Sequence, residues 1–505
     1  MTAMEKGVSL SWRMVTFLDN PGASHETHSL NHSLALALCA VTSANAAEFC
    51  VANADELTNA LYAAETNAEN DTIRLVQGTY VGNFFYSNAT ANSLTLEGGY
   101  AKDCASRLNR PNKTVLDAAG AGTVLALKST KGSVQFTVSN FTVRNGGAGG
   151  LDLQTDSESR RSKITLTSVR VLNNQGVGAN IVSKNVNVNV KNAWFNTNTE
   201  TGLSISAAAN ATVLSSQAQA NSYGVGVYAD TITLIKDKLQ NNGSGAFLNG
   251  RSVMAAKNAF INNSNSCYYP NCALPAGGAA IMASYLLLDG NEFTNNSDHW
   301  GGVGAVNFLG GQAMVKGNLV RGSARGGLLL TSSSSVVLVN NLIYGSLYAM
   351  GVQVKASSIT LTNNTITGNS GGGAVLLLTA NTDTANVYNN LIWSNTADTG
   401  GDLYIDNDGD NDLVRSPVRL QNNDFTQAKP GGYYIKRSFP IPASNLDNVD
   451  PLFVDAANGD YHLQAGSPVI DLGDDLAPQL PAVDMDGDAR VLGAHVDIGA
   501  DEYKP

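Results

Sequence analysis

The chain has 505 residues, 50 of them glycine, and only 14% of its residues are charged. Its 31 Lys and Arg residues against 42 Asp and Glu residues give a net charge of −11, and no basic run offsets this acidity. We therefore expect neither nucleic acid nor an anionic membrane surface as a partner. Since helix-forming sequence is scarce, one long solenoid fits this length better than two or three ordinary domains.

Residues 1–46 have the pattern of a secretory signal. The apolar run Leu34–Val41 precedes the small-residue site Ala44–Ala46, after which we expect cleavage. Lys6 and Arg13 lie unusually far upstream, so we interpret the first residues as a non-native extension. A disordered tail with a chance Ala/Leu run is the alternative. No other stretch reaches about 18 consecutive apolar residues, so we expect no transmembrane helix.

The cysteines also favour export. Cys39 falls in the predicted leader, which leaves four cysteines. We predict that Cys50 pairs with Cys104, tying an N-terminal cap to the start of the solenoid, and that Cys267 pairs with Cys272 to close a tight loop. A zinc site is the alternative, but the spacing does not give two C-x₂₋₄-C pairs and no His lies near them.

Residues 47–70 are predicted to form a capping helix. Asn53 suits the N-cap position, and Glu56 follows three residues later. Leu57, Leu61 and Ala64 then share one helix face. Because a solenoid end exposes apolar core and unpaired strand edges, a cap is expected there.

Residues 71–440 are predicted to form the solenoid, because a six-residue phrase that opens with Asn and has an apolar residue two positions later recurs within them. The clear copies are Asn258–Asn263, Asn291–Asn296, Asn318–Ser323, Asn341–Ser346, Asn364–Asn369 and Asn390–Asn395. Degenerate copies begin at Asn192, Ser216 and Asp237. Each unit holds three short β-rich runs broken by Gly or Asn, and none is long enough for an amphipathic helix.

This repeat predicts an all-β fold, a single-stranded right-handed parallel β-helix with three strands per coil, an N-terminal helical cap and an irregular C-terminal cap. Each strand would pair with its equivalents in neighbouring coils at about 4.8 Å, over about a dozen coils. The Asn that opens each phrase is predicted to bond the same Asn of the next coil, as a stacked ladder. The apolar residues two positions later are predicted to point inward: Phe260, Phe293, Val320, Ile343, Ile366 and Ile392.

Residues 441–505 are predicted to form the C-terminal cap, because the repeat stops and turn-forming sequence clusters there. This tail includes Asp484–Asp488 and Val496–Tyr503. Together with Asp71–Ile73 and Gly98–Cys104, it resembles the choice-of-anchor Q domain proteins, secreted bacterial right-handed β-helix proteins of the pectate-lyase-like superfold. The resemblance implies the fold and Sec-type export, and no general activity.

A weaker similarity lies in the coils. Phe260–Asn263 and Gly277–Ile281 are similar to the FxxN and GGAI repeats of polymorphic outer-membrane proteins. Because such short phrases suit any coil of this geometry, we interpret them as a property of the fold.

One acidic stretch predicts a metal site. Its carboxylates lie at alternate positions, on Asp406, Asp408, Asp410 and Asp412. Oxygen ligands at such spacing hold calcium in compact loops, so Ca²⁺ is the candidate cofactor, with an ordinary solvated turn as the alternative. For the similar stretch Asp484–Asp488, a structural turn closing on Arg490 is favoured over calcium.

Variable loops between each phrase and the next strand carry aromatic and basic residues that stacked coils would bring to one edge. The predicted ligand-binding residues there are Tyr268, Tyr269, His299, Trp300 and Tyr348. A column of exposed aromatic side chains suits stacking on sugar rings. Loops that merely pack on one another are the alternative.

Catalysis is the competing hypothesis. A lyase acting on a uronate polymer needs a base beside the sugar C5 and a cation to neutralise the carboxylate, and the available groups are His299, Arg325 and Lys355. Of the polygalacturonase motifs, only the first has a counterpart in this chain, at Asn381–Asp383. Basic side chains lying along a surface are the commoner explanation.

We therefore predict a secreted or cell-surface, monomeric, adhesin-like protein. Its expected partner is a polysaccharide or a glycan of an envelope or host surface. The alternative is a polysaccharide lyase, in preference to a glycoside hydrolase, acting on an acidic polysaccharide.

Overall fold

The chain winds as a right-handed parallel β-helix in the computed structural model, which describes residues 46–156, 162–266, 274–299, 302–408, 415–428 and 431–505. Each coil consists of a short strand, a first strand and a second strand, in that order along the chain. The short strands form one 15-stranded sheet, and the first and second strands together form a 24-stranded sheet. The stack therefore has more coils than the dozen predicted.

The short strands mark the start of each coil. They are Gly78–Val81, Thr114–Asp117, Thr142–Arg144, Arg170–Leu172, Trp194–Asn196, Gln217–Gln219, Lys238–Gln240, Ala259–Ile261, Glu292–Thr294, Leu319–Arg321, Leu342–Tyr344, Thr365–Thr367, Leu391–Trp393, Asp424–Phe425 and Leu446–Asp447.

The first and second strands are separate at both ends of the stack and continuous in the middle. The first strands are Phe84–Asn88, Thr123–Ser129, Gly149–Thr155, Ala179–Ser183, Leu328–Ser332, Val352–Lys355, Ala374–Leu377, Leu403–Asp406 and Tyr433–Ile435. The second strands are Glu48–Val51, Asp71–Val76, Leu94–Tyr100, Gln135–Ser139, Lys163–Thr167, Asn187–Lys191, Ser335–Val339, Ser358–Thr362, Thr384–Tyr388 and Val418–Gln421. The continuous strands are Thr201–Leu214, Tyr223–Ile235, Ser244–Ala256, Ala279–Asp289 and Val306–Lys316.

Three smaller elements complete the fold. A helix spans Ala54–Thr66, and a 3-10 helix spans Ala456–Asn458. Ser264–Asn265 pairs in parallel with Ser297–Asp298, and Phe453–Asp455 pairs antiparallel with Asp460–Leu463.

The N-terminal helix forms as predicted. Asn53 Oδ1 accepts a hydrogen bond from Glu56 N at 2.9 Å, so the N-cap is the expected residue. Leu57, Leu61 and Ala64 are buried in the core that the first coil would otherwise expose. None of the helices in the described part of the chain is long and apolar enough to cross a membrane.

The predicted inward positions form the core. Phe260, Phe293, Val320, Ile343, Ile366 and Ile392 are all fully buried. The Phe260 and Phe293 rings stack with centroids 4.7 Å apart, which is the spacing of neighbouring coils. Because each position meets its own equivalent above and below, a repeat in sequence becomes a continuous apolar column.

The predicted asparagine ladder is present. Asn258 Nδ2 donates to Asn291 Oδ1 at 3.0 Å, and Asn291 Nδ2 donates to Asn318 Oδ1 at 3.0 Å. The same bond continues through Asn341, Asn364, Asn390, Asn423 and Asn445. The ladder therefore satisfies buried polar groups at each turn, where burial without a partner would cost free energy.

One of the degenerate copies begins one residue later than predicted. The short-strand register pairs Trp194 with Gln217, so the residues before them, Ala193 and Ser216, occupy equivalent ladder positions. Asn192 lies one residue earlier and has a φ of 51°. The prediction for Asn192 was wrong by one residue, because a left-handed turn position and a ladder position both favour Asn.

A second ladder, which the sequence analysis did not predict, follows the short strands. It runs through Asn174, Asn198, Asn221, Asn242, Asn263 and Asn296. Near the end of the stack it returns as Asn369 and Asn395, and Asp402 Oδ1 accepts the last amide hydrogen at 3.0 Å. Both turns that flank the short sheet are thus fixed in the same way.

From Ala193 to Asn423, the residue before each position of the first ladder has a left-handed φ, and we call this column the turn edge. Its members are Asn192, Ser215, Lys236, Lys257, Gly290, Gly317, Asn340, Asn363, Asn389 and Asn422. The C-terminal tail, residues 449–505, folds back along this edge towards earlier coils. The side-chain amides of Asn422, Asn389, Asn363 and Asn340 donate to tail carbonyls at 2.8–3.2 Å.

Arg490 is the centre of the tail. It is buried, and its two Nη atoms donate to the carbonyls of Gly499, Ala500 and Asp501 at 2.9–3.1 Å. It also reaches the β-helix, where Nη1 donates to Asn340 Oδ1 at 3.1 Å. The end of the stack itself is covered by Phe439 and Ile441, which pack against the core.

The predicted disulfide between Cys50 and Cys104 is present, with Cα atoms 5.9 Å apart. It links the strand before the helix to the loop after the Leu94–Tyr100 strand. The predicted pair Cys267 and Cys272, and the predicted leader through residue 45, lie outside the described residues.

Candidate functional site

The outer face of the first strands carries a groove of about 350 Å³. Its aromatic lining consists of Tyr223, Tyr228 and Phe247, and the Tyr228 and Phe247 ring centroids are 5.4 Å apart. Tyr228 is 49% exposed. Strand alternation explains the arrangement, because the residues between these outward positions point into the core.

Small residues on both sides of Phe247 make the groove. Parallel register places Gly226 and Ala280 directly beside Phe247 on the neighbouring coils. Neither can cover the ring, so its face remains accessible. Hydroxyl and amide groups of Thr201, Ser204, Ser244 and Asn265 complete a lining that contains no charged side chain among the described residues.

One wall of the groove is formed by described residues of the loop between the short strand at 259–261 and the strand Ala279–Asp289. The wall residues are Leu274, Pro275 and Ala276. At the loop's base, Asn265 Nδ2 donates to the buried Asp298 Oδ2 at 2.6 Å. Asp298 Oδ1 in turn accepts from Gly302 N at 2.7 Å, so the base of the loop is fixed to the next coil.

The loops that follow the short strands lie along one edge of the stack, which we call the loop edge. This edge holds a second cavity of about 450 Å³. It is lined by Ser297, Asp298, His299, Ala324, Arg325 and Tyr348. Isolated parallel bridges join Ser297 to Ala324 and Ala324 to Leu347, and these hold three successive loops in register. The structure therefore brings the predicted residues His299, Arg325 and Tyr348 together, and Tyr348 is 83% exposed.

The remaining predicted residues have other positions. Lys355 is exposed at the end of the strand Val352–Lys355, on the outer face and not in the lining of the loop-edge cavity. Tyr268, Tyr269 and Trp300 lie outside the described residues. Tyr228 and Phe247 were not predicted as site residues, although a large aromatic residue at an outward position of an alternating strand indicates such a site.

The acidic loop has basic neighbours. Strand register places Lys436 beside Asp406, and Lys436 Nζ lies 3.0 Å from Asp408 Oδ2. Arg437 Nε also bonds Asp408. Hydrogen bonds from Lys436 and Arg437 lower the pKa of the partly buried Asp408 carboxyl.

This pairing offers Asp406 and Asp408 a neutralising partner other than calcium. Asp410 and Asp412 lie outside the described residues. Calcium binding stays a prediction, and its test is whether a chelator lowers the melting temperature of the protein.

The Asp484–Asp488 stretch is a hydrogen-bonded turn. Asp484 Oδ1 accepts from the backbone N–H groups of Asp486, Gly487 and Asp488 at 2.8–3.0 Å. Its Oδ2 accepts from Glu502 N at 3.3 Å. The Asp484 carboxylate therefore holds the turn in the tail that surrounds Arg490.

Comparisons with known proteins agree with the fold. A family model described as a right-handed beta helix region matches residues 223–392 and 304–461. None of the curated proteins matches the chain. The matching family model describes the β-helix, so the resemblance to choice-of-anchor Q domain proteins stays a prediction.

Two solved structures are weakly similar to this chain. A pectate lyase, Pel9A, is 14% identical with a TM-score of 0.32, over 91% of this chain and 97% of the lyase chain. The A-module of the mannuronan C-5 epimerase AlgE4 from Azotobacter vinelandii is 13% identical with a TM-score of 0.35, over 79% of this chain and 100% of the module. At these TM-scores, neither likeness bears on substrate or reaction.

Proposed function

We propose that this protein is an exported β-helix protein that binds a polysaccharide or surface glycan on its outer first-strand face. The observation that carries the proposal is the groove in which the exposed Tyr228 lies beside the half-buried Phe247 ring, which small residues of both neighbouring coils leave partly uncovered. Aromatic faces stack on the apolar faces of sugar rings, and nearby hydroxyl and amide groups bond sugar hydroxyls. Because the described lining residues are uncharged, they favour neutral sugar units in the groove itself.

The loop edge extends this surface. Tyr348 offers a further exposed aromatic side chain, and Arg325 and His299 offer donors for a polar or acidic substituent. The Cys50–Cys104 disulfide supports a location outside the cytoplasm, where disulfides persist. A monomer in solution is part of the proposal.

The test is a glycan array followed by titration calorimetry with the best ligand. The variant Tyr228→Ala with Phe247→Ala should weaken binding about tenfold or more, which corresponds to about 1.4 kcal/mol. Tyr285→Ala is the matched control, because Tyr285 is also an exposed aromatic residue but lies in the second-strand half of its coil. Equal affinity of the double variant and the wild type, or equal loss in the control, would contradict the proposal.

A polysaccharide lyase is the second candidate, because His299 and Arg325 line one cavity. In such a β-elimination a base removes the proton at sugar C5, a C4–C5 double bond forms as the C4–O bond to the neighbouring sugar breaks, and the departing oxygen takes up a proton. A cation offsets the charge of the uronate carboxylate. Incubation with pectate, alginate and chondroitin, followed by ultraviolet absorbance of an unsaturated product, decides between the two. A binding protein gives no product, whereas an enzyme gives product that His299→Ala abolishes.

A further inference from the structure

The C-terminal tail contains a cluster of one imidazole and two carboxylates. A ring nitrogen of His462 and one carboxylate oxygen each of Asp486 and Asp501 lie within 4.8 Å of one another. His462 is supplied by the antiparallel pair of the tail, Asp486 by the turn held by Asp484, and Asp501 by the C-terminal segment that surrounds Arg490. Three separate tail segments therefore converge on one point.

The imidazole is oriented for binding through one nitrogen. Asp460 Oδ1 lies 2.5 Å from His462 Nδ1, and this contact directs Nε2 towards Asp486, whose Oδ2 lies 2.7 Å away. A carboxylate on the far nitrogen is the usual way in which a metal-binding histidine is oriented and its tautomer fixed. Asp501 is buried, and its Oδ2 is held by Leu463 N at 2.8 Å.

The charge of the cluster also favours a cation. Three carboxylates, of Asp460, Asp486 and Asp501, surround a single imidazole. Three basic side chains of the same region are engaged in other ion pairs. Lys504 pairs with Asp488 at 3.0 Å, Arg490 with Glu502 at 3.5 Å and Arg321 with Glu292 at 3.0 Å.

Space for further ligands is available beside the cluster. A cavity of about 220 Å³ is lined by His462 and Asp486 on the tail side and by Arg321 and Tyr344 on the β-helix side. Water molecules in this cavity could complete the coordination of an ion held by three protein ligands.

We propose that His462, Asp486 and Asp501 bind a divalent transition-metal ion of the Zn²⁺ type, with Asp460 as the supporting carboxylate. One imidazole and two carboxylates suit Zn²⁺, whereas Ca²⁺ prefers six or more oxygen ligands. Zinc bonds of about 2.0–2.2 Å set ligand atoms roughly 3.3–3.5 Å apart, a separation that rotation of the half-exposed His462 and Asp486 side chains can reach. The ion takes the place of the proton between Nε2 and Asp486.

Such an ion would join the antiparallel pair to the segment around Arg490, and so hold the tail closed on the turn edge. The alternative is that Asp460, His462 and Asp486 form a complete ion-pair bridge that needs no metal. The two explanations differ in whether added zinc binds stoichiometrically at this position.

The experiment is titration calorimetry of the full chain with ZnCl₂, comparing the number of zinc equivalents bound. His462→Gln and Asp486→Asn should each bind one equivalent fewer than the wild type, because each removes one ligand with little change in shape. His495→Gln is the matched control, since His495 is also exposed in the tail and pairs with one carboxylate, that of Asp475, at 2.9 Å. Counting equivalents separates this site from zinc bound by other histidines of the chain.

Hydrogen exchange gives an independent readout. Zinc should slow exchange in residues 484–503 of the wild type and of His495→Gln, and should have no such effect in His462→Gln. Unchanged zinc stoichiometry in His462→Gln, or loss of the same equivalent in His495→Gln, would overturn the proposal. Saturating CaCl₂ in place of zinc should give no protection of these residues, and protection by calcium alone would also overturn the zinc assignment.

Discussion

The two edges of the short sheet are built alike but are used differently. Each is a turn with a left-handed residue and a buried ladder, one before the short strand and one after it. Over four coils the turn edge carries outward Asn side chains whose amides bond the tail. The loop edge instead carries loops of variable length, which line one cavity beside the exposed Tyr348 and form a wall of the groove on the outer face. The backbone geometry sets the coil, and the side chain at the left-handed position decides whether another segment can bind there.

The largest expected effect on stability comes from replacing Arg490, the centre of the tail that lies on the turn edge. Arg490→Met leaves the carbonyls of Gly499, Ala500 and Asp501 without their buried donor, and leaves Glu502 without its charge partner. We expect a loss of about 3–5 kcal/mol in the stability of the tail. Limited proteolysis should then cut within residues 449–505 while the coils resist.

The matched control for this prediction is Arg251→Met. Arg251 also pairs with a carboxylate, that of Asp230, but both side chains are exposed. The expected change is below about 1 kcal/mol, without new cleavage in the tail. Equal protease sensitivity of the two variants would contradict the role assigned to Arg490.

A smaller effect, of opposite sign, is expected inside the ladder of the turn edge. Asp237 occupies a ladder position, where Oδ1 accepts from Ser216 N at 2.7 Å and Oδ2 has no hydrogen-bond partner among the described residues. Asp237→Asn restores the amide donor that Asn258 and its equivalents use. We expect a gain of about 1–3 kcal/mol at neutral pH, measured by chemical denaturation.

The same residue predicts a pH dependence. Burial raises the pKa of the Asp237 carboxyl from 3.8 to about 7, so the folded state favours the protonated form. The stability that this proton contributes is present below about pH 4 and is lost as the pH rises towards 7. Asp237→Asn should lack this part of the pH profile, and identical profiles for both proteins would disprove the assignment.

A paired substitution on the turn edge compares coils with and without a bond to the tail. Asn363→Gly keeps the left-handed position but removes the donor to the carbonyls of Asp497 and Gly499 at 2.9 and 3.1 Å. We expect a loss of about 1–2 kcal/mol. Lys257→Gly, at a φ of 56°, should be neutral or stabilising by up to about 1 kcal/mol, because glycine adopts this φ without strain. Equal losses in thermal unfolding would mean that the tail does not depend on these amides.

The smallest effect on stability is expected at the loop edge. Tyr348 is exposed, so Tyr348→Ala should change the free energy of unfolding by less than about 0.5 kcal/mol. If the loop edge belongs to the glycan surface, the same variant should weaken saccharide binding by about 1 kcal/mol in titration calorimetry. A variant that loses stability but binds normally would reverse the contrast between the two edges.

The local part of the fold was predictable from the sequence. The N-cap at Asn53, the inward position of Phe260 and its equivalents, and the ladder through Asn258 all follow from short patterns. The physical reason is that each coil packs on copies of itself, so a residue that suits its own turn also meets its contact partner. The same logic placed His299, Arg325 and Tyr348 in one cavity, since stacked loops share a register.

The tertiary structure alone decided the contacts that lack this repetition. Asn192 was assigned one residue out of register because a single Asn suits both turn positions, and only strand pairing distinguishes them. Arg490 meets Asn340, and His462 meets Asp486 and Asp501, through the return path of the tail, which no periodicity encodes. The accessibility of the Phe247 ring depends on Gly226 and Ala280, residues of two other coils. The sequence thus determined the turns, the inward side chains and the ladder of each coil. The stacking and the returning tail determined which side chains meet to form a site.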